Sequence, residues 1–185
     1  MLQLVLWRSQ KDNYKLETKS HVLAIVQVFE DFIDLDTDAL IKEVDKSYIR
    51  KNDNNEHTFF EDYKYPNTPK LQDLKQKIHT KAENIMCTPL QYEDIWVHKI
   101  PHRAATALHN HAPALCSFVY YPKFIKKQGD LKFILFWNGQ IVERCITPQE
   151  KMLLIFPGEV FHYTSPNDTD IERISISGNF HHRKV

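Results

Sequence analysis

"DLKFILFWNGQIVERCI", residues 130–146, decides the architecture. Two runs rich in β-branched and aromatic residues flank Asn138-Gly139, a dipeptide that accepts the positive φ angles of a two-residue hairpin turn. Trp137 and Gln140 therefore close a hairpin, and the two runs are antiparallel neighbours. Short runs of the same texture lie on either side: "IWVHKI" (95–100), "LCSFVYY" (115–121), "MLLIF" (152–156) and "RISISGNF" (173–180), separated by Pro, Gly and Asn. From Tyr92 onward the chain reads almost entirely as strand.

The first half reads differently. Leu2–Trp7 and Val22–Phe29 are expected to be strands joined by a polar loop. Asp36 and Thr37 offer N-caps to "DALIKEVDKSYIRKN" (38–52), where Leu40, Ile41, Val44 and Tyr48 share one helical face. Thr68-Pro69 opens a second helix, with Leu71, Leu74, Ile78, Ala82 and Ile85 at helical spacing up to about Met86. Between them, residues 51–67 are polar and turn-rich, which predicts a surface loop able to shape a substrate entrance. Helices first and many short strands afterwards predict an α+β fold: a sandwich or barrel with two helices packed on one side. The expectation is a single domain over 1–185, with supporting strands and helices in 1–91 and the barrel core in 92–180.

Equal numbers of acidic and basic residues remove the general electrostatic case for nucleic-acid binding or for an acidic membrane surface. No stretch approaches the roughly 18 apolar residues of a membrane span. The opening run has no basic segment before it and no small-residue cleavage site after it, and reads as a strand rather than a signal. Cys87, Cys116 and Cys145 are odd in number, far apart and without a CxxC pair, which argues against disulfides and thiolate zinc and suits a cytoplasmic protein.

Chemistry enters at "ALHNHAPALCSFVYYP" (107–122). On extended chain, residues i and i+2 face the same way, so His109 and His111 can present both imidazoles to one metal ion. His162, in "LLIFPGEVFHYTSPN" (153–167), sits just beyond an apolar strand and its Pro157-Gly158 turn, and is the candidate third ligand. Three nitrogen donors on one face leave other metal positions open, an arrangement more typical of catalytic than of structural sites. A turn-capping histidine is the bland alternative. Eleven residues on, Ile174 and Ile176 share one face of a strand, which sends Arg173, Ser175 and Ser177 to the other. A buried arginine requires an anionic partner. Glu143 or Glu159 could serve, and so could the carboxylate of a bound cosubstrate held in the guanidinium fork.

Taken in order and spacing, "HNH" (109–111), "SFVYYP" (117–122), "GDLKF" (129–133), "FPGEVFH" (156–162) and "ERISISGN" (172–179) resemble the iron(II)- and 2-oxoglutarate-dependent oxygenases. The similarity is to the small oxygenases of phages and bacteria with the pattern HxH…SxxYY…GxLxF…FPxxxxH…ERxSxxxN. It implies a double-stranded β-helix (jelly-roll, cupin-like) and iron bound by His109, His111 and His162. It also implies that Arg173, with Ser175 and Tyr120 or Tyr121, holds the far carboxylate of 2-oxoglutarate. The activity implied is dioxygenase chemistry: 2-oxoglutarate is decarboxylated to succinate while a small-molecule or peptide substrate is hydroxylated. The wider superfamily carries an acidic residue where this chain has His111. His111 is then a true ligand, or a neighbour to a site completed by water or Glu159, or the mark of a zinc-bound or inactive protein. A cupin-type three-histidine dioxygenase without 2-oxoglutarate and a non-catalytic ligand-binding barrel are the competing functions.

Overall fold

The computed structural model describes residues 26–49, 58–60 and 68–183. In chain order these form β1 (Phe29–Phe32), α1 (Thr37–Ser47), β2 (Tyr48–Ile49), β3 (Thr58–Phe60), α2 (Pro69–Met86), β4 (Leu90–Ile100), β5 (Cys116–Tyr121), β6 (Leu131–Trp137), β7 (Gln140–Ile146), β8 (Met152–Pro157), β9 (Phe161–Thr164) and β10 (Arg173–His182). The strands make two sheets, β1-β8-β5-β10-β4-β3-β2 and β7-β6-β9, and every pairing within them is antiparallel. This is the double-stranded β-helix arrangement, with both helices on the outer face of the large sheet.

Period-two alternation explains the two cores. On the large sheet, Val97, Phe118, Tyr120, Leu153, Ile155 and Ile176 face the helices and meet Leu40, Val44, Leu71, Leu74 and Ile78. The residues next to them, Val119, Tyr121, Leu154 and Phe156, point the other way and pack with Leu131 and Phe133 of the small sheet. Gly178 lies on the helix side, where a Cβ would come within 2.6 Å of both the Phe118 ring and the Asp94 carbonyl oxygen. The hairpin is as expected: Trp137 pairs with Gln140, and Asn138 and Gly139 both have positive φ, 50° and 72°.

The helices form for the reasons their sequences give, with one substitution of partner. Asp36 caps α1 through the Ala39 amide at 3.1 Å. Thr68 precedes Pro69 as expected, but its hydroxyl makes no cap bond. The first-turn amides of α2, from Lys70 and Leu71, are met instead by Glu43 Oε2 of α1 at 2.9 and 3.2 Å. One helix thus caps the other and fixes their mutual position on the sheet.

Several expectations shift. Of the strand expected over Val22–Phe29, residues 22–25 lie outside the described residues, 26–28 are not strand, and only Phe29 belongs to one, β1. The first helix ends at Ser47, and Tyr48 belongs to β2. Within the expected loop 51–67, Thr58–Phe60 form a strand between β2 and β4. Leu2–Trp7 and the rest of that loop lie outside the described residues. Among the described residues, no helix is long and apolar enough to cross a membrane.

Candidate metal centre and anion pocket

His109, His111 and His162 converge at the mouth of the space between the sheets. Their potential ligand atoms all lie within 4.8 Å of one another, and the ring centroids are 4.3 to 5.1 Å apart. Three atoms so placed share a centre about 2.8 Å away at most, close to the roughly 2.0 to 2.1 Å of a metal–imidazole bond. Among the described residues, no carboxylate belongs to the group.

Backbone bonds place these rings. His162 follows Phe161 on β9 opposite Phe133, and its ring packs against the Phe156 ring at 4.8 Å. His109 is bridged to it by reciprocal amide–carbonyl bonds of 3.0 and 2.9 Å, and the His111 amide donates to the Gly158 carbonyl at 2.7 Å. The FPG turn and the HNH segment are therefore one structure.

Two tautomers are set by the chain. His109 Nδ1 lies 2.7 Å from the Ala107 carbonyl oxygen and His162 Nδ1 lies 2.9 Å from the Val160 carbonyl oxygen. A carbonyl only accepts, so each Nδ1 carries the proton and each Nε2 carries the lone pair. Burial, with a smaller contribution from the neighbouring His109, lowers the His162 pKa to about 3 and that of His111 to about 4. Neutral imidazoles at neutral pH are the form a metal needs.

Arg173 supplies the other half. It opens β10 and is 2% exposed. One guanidinium nitrogen donates to the Gln128 carbonyl at 2.9 Å and the other terminal nitrogen to Thr164 Oγ1 at 2.9 Å, while Nε has no hydrogen-bond partner. Among the described residues, no carboxylate forms an ion pair with it. Glu143 pairs with Lys132 and accepts from the Tyr163 hydroxyl on the outside of the small sheet, and Glu159 is exposed. The two acidic partners open to Arg173 from the sequence are excluded, and a buried cation remains without a counter-charge.

Arg173, Ser175, Tyr121 and the three histidines line one pocket. Tyr120 does not line it: adjacent strand residues face opposite ways, and the Tyr120 hydroxyl donates to the Ile33 carbonyl at 3.2 Å in the helix-side core. Tyr121 is buried, which pushes its phenol up to about 12 and keeps it a proton donor.

Sequence reasoning left out Trp96, His98, Thr106 and Thr164, which also line the pocket. A signal for the first two was present, since "IWVHKI" alternates and its apolar set, Ile95 and Val97, faces the helices. Trp96 stands 5.3 Å from the His111 ring. Gly129 is required where the chain passes Arg173. Its φ is +94°, and a Cβ there would lie 2.2 Å from the Ser165 carbonyl oxygen and 2.8 Å from the guanidinium.

Residues 137–179 match the model of a family described as putative 2OG-Fe(II) oxygenase. No curated protein matches the sequence significantly. Solved structures do resemble it. The non-heme alpha ketoglutarate dependent epimerase SnoN from nogalamycin biosynthesis is 13% identical with a TM-score of 0.67, over 84% of this chain and 77% of that one. A prolyl-4-hydroxylase of Pseudomonas putida is 19% identical with a TM-score of 0.59, over 85% and 93%. The carbocyclase SnoK, also from nogalamycin biosynthesis, is 13% identical with a TM-score of 0.62, over 83% and 78%. These likenesses are of fold.

Proposed function

We propose that the chain is a 2OG-Fe(II) oxygenase, a hydroxylase that binds iron(II) through His109, His111 and His162 and 2-oxoglutarate through Arg173, a reading supported by the family match over residues 137–179 and by the shared fold. The observation that carries this reading is the buried guanidinium of Arg173, unpaired with any described carboxylate and opening into the pocket where three imidazoles meet. An uncompensated buried charge is expensive, and a bound dianion would offset it. The donor set fits iron(II): nitrogen ligands of intermediate softness with positions left open. SnoN has been solved with Fe3+ and alpha ketoglutarate, and this chain shares its fold.

The chain's own residues bind, orient and exclude water. Gln128 and Thr164 hold the guanidinium plane so that its fork faces the pocket. Ser175 and Tyr121 stand beside it as hydroxyl donors to the same carboxylate. Val119, Leu131 and Phe156 form the apolar wall that keeps water from the chelating end of the cosubstrate. When bound, the metal supplies oxygen activation coupled to the decarboxylation of 2-oxoglutarate.

Anaerobic titration with iron(II) and then 2-oxoglutarate, followed by succinate measurement in air, tests the proposal. Metal-dependent binding of 2-oxoglutarate and succinate release are expected. Metal uptake without any 2-oxoglutarate binding points instead to a three-histidine dioxygenase of the cupin type, in which Arg173 receives a substrate carboxylate. The all-histidine donor set is what keeps that second reading open.

A further inference from the structure

We propose that the primary substrate is a small carboxylic acid, whose single negative charge sits beside the metal; this rests on the functional proposal above. The inference comes from the charge the pocket leaves uncovered. Among the described residues, no Asp or Glu lines it. Its polar lining is four imidazoles, one guanidinium and the hydroxyls of Thr106, Thr164, Ser175, Ser177 and Tyr121. A divalent metal and Arg173 together bring three positive charges, and 2-oxoglutarate brings two negative ones. One positive charge is left over in a site that buried side chains close off from water. Where the metal has a carboxylate ligand, that ligand covers the remaining charge. Here residue 111 is a histidine, which brings no negative charge, and no described residue of the lining meets the remaining charge, which leaves it to something that enters.

The nearest acid on the same wall does not meet it. Asp94 precedes Trp96 by two residues on β4, but its carboxylate, which lies by Asn179 with Oδ1 buried and unpartnered, does not line the pocket. Trp96 and Ser177, paired with each other, form the part of the wall one level past Ser175 and its partner His98, with Trp96 against His111. An incoming carboxylate there has the Ser177 hydroxyl as donor and the indole as an apolar floor. Most lining residues are buried, and the half-buried His109 and His111 mark the opening, which suits a small acid.

The test uses the metal-loaded protein and two isosteric probes. Protein is loaded with Co(II), saturated with 2-oxoglutarate under argon, and titrated with acetate or with neutral acetamide. Binding is read by heat and by Co(II) visible absorption. Acetate is expected to bind at least about tenfold more tightly than acetamide and to keep binding as 2-oxoglutarate is raised. His111→Asp, which returns a negative charge, is expected to lose about tenfold or more of the acetate affinity. Equal binding of the two probes in the native protein overturns the proposal, whether or not the variant folds. So does acetate that 2-oxoglutarate displaces, which assigns the anion to Arg173, and so does unchanged acetate affinity in folded His111→Asp. If Co(II) or 2-oxoglutarate itself fails to bind, the functional reading has failed at those earlier steps, and this inference falls with it.

Discussion

Arg173→Lys separates charge from geometry in the anion pocket. The native guanidinium is held at two points, the Gln128 carbonyl and Thr164 Oγ1, both at 2.9 Å, and this leaves its remaining donors aimed at the pocket. A lysine keeps the positive charge but ends in one ammonium on a flexible stem, so it cannot hold both anchors and also grip a carboxylate at two points. At least one charge-assisted hydrogen bond to the cosubstrate is lost, worth about 1.5 to 3 kcal/mol. That corresponds to roughly tenfold to over a hundredfold weaker binding. The measurement is anaerobic titration of 2-oxoglutarate into the Mn(II)- or Fe(II)-loaded proteins, with metal affinity determined first. Metal affinity should stay within about twofold, because Arg173 contacts none of the three histidines. A folded Arg173→Lys protein with native 2-oxoglutarate affinity would refute the anchoring role. Parallel loss of metal and 2-oxoglutarate binding would recast Arg173 as scaffold for the whole site.

His162→Ala should abolish metal binding with the far-UV circular dichroism retained, since the cores are built from the apolar faces of the strands and helices; equilibrium dialysis with Fe(II) or Zn(II) checks it, and retained stoichiometric binding counts against the triad. Gly129→Ala meets both a positive φ and a 2.2 Å approach to a backbone carbonyl, so it should cost more than about 1 to 3 kcal/mol and lower the melting temperature by several degrees. It should also weaken 2-oxoglutarate through the displaced guanidinium, and native values for both refute the close-approach argument. The metal-free protein should lose stability as pH falls from about 6.5 toward 4, because His162 and His111 have native pKa values of about 3 and 4 while the unfolded chain takes up protons near 6.5. Urea midpoints at pH 7 and pH 5 measure this, and in His162→Gln the drop should be smaller.

Much of this was legible in the sequence because it rests on local rules. Asn138-Gly139 announces its own turn, and alternation in "RISISGN" sends Arg173 and Ser175 inward together. The HxH pair needs only the extended chain to bring two imidazoles to one side. What was not legible depends on partners distant in sequence. Tyr120 and Tyr121 are equivalent as a dipeptide, and only the pairing of β5 with β8 and β10 decides which of them faces the pocket. β3 is three residues long, too short to show a period, and is a strand because β4 offers it an edge. The Gln128 carbonyl that holds Arg173 is backbone, and backbone acceptors leave no trace in residue identity. For the same reason Thr68 reads as a cap when Glu43, far away in sequence, does the capping.

The separation between the metal ligands and the anion anchor is a property of the small sheet. His162 and Thr164 are two residues apart on β9, so their side chains point the same way one pleat apart, about 6.5 to 7 Å. His162 is the proposed ligand, and Thr164 Oγ1 accepts from the guanidinium. His109 repeats the level of His162 because the two are bridged, and Thr106, bonded through its own amide to Thr164 Oγ1, repeats the level below. The large sheet contributes Arg173, Ser175 and Tyr121 from its inner face at that lower level, so the anchor is gripped from both sheets. Neither sheet could slide by one residue without turning His162 or Arg173 away from the pocket, since a one-residue slip inverts every side chain of a strand. The apolar contacts of Phe133, Phe156 and Leu154 between the sheets are therefore what holds the metal-to-anchor distance.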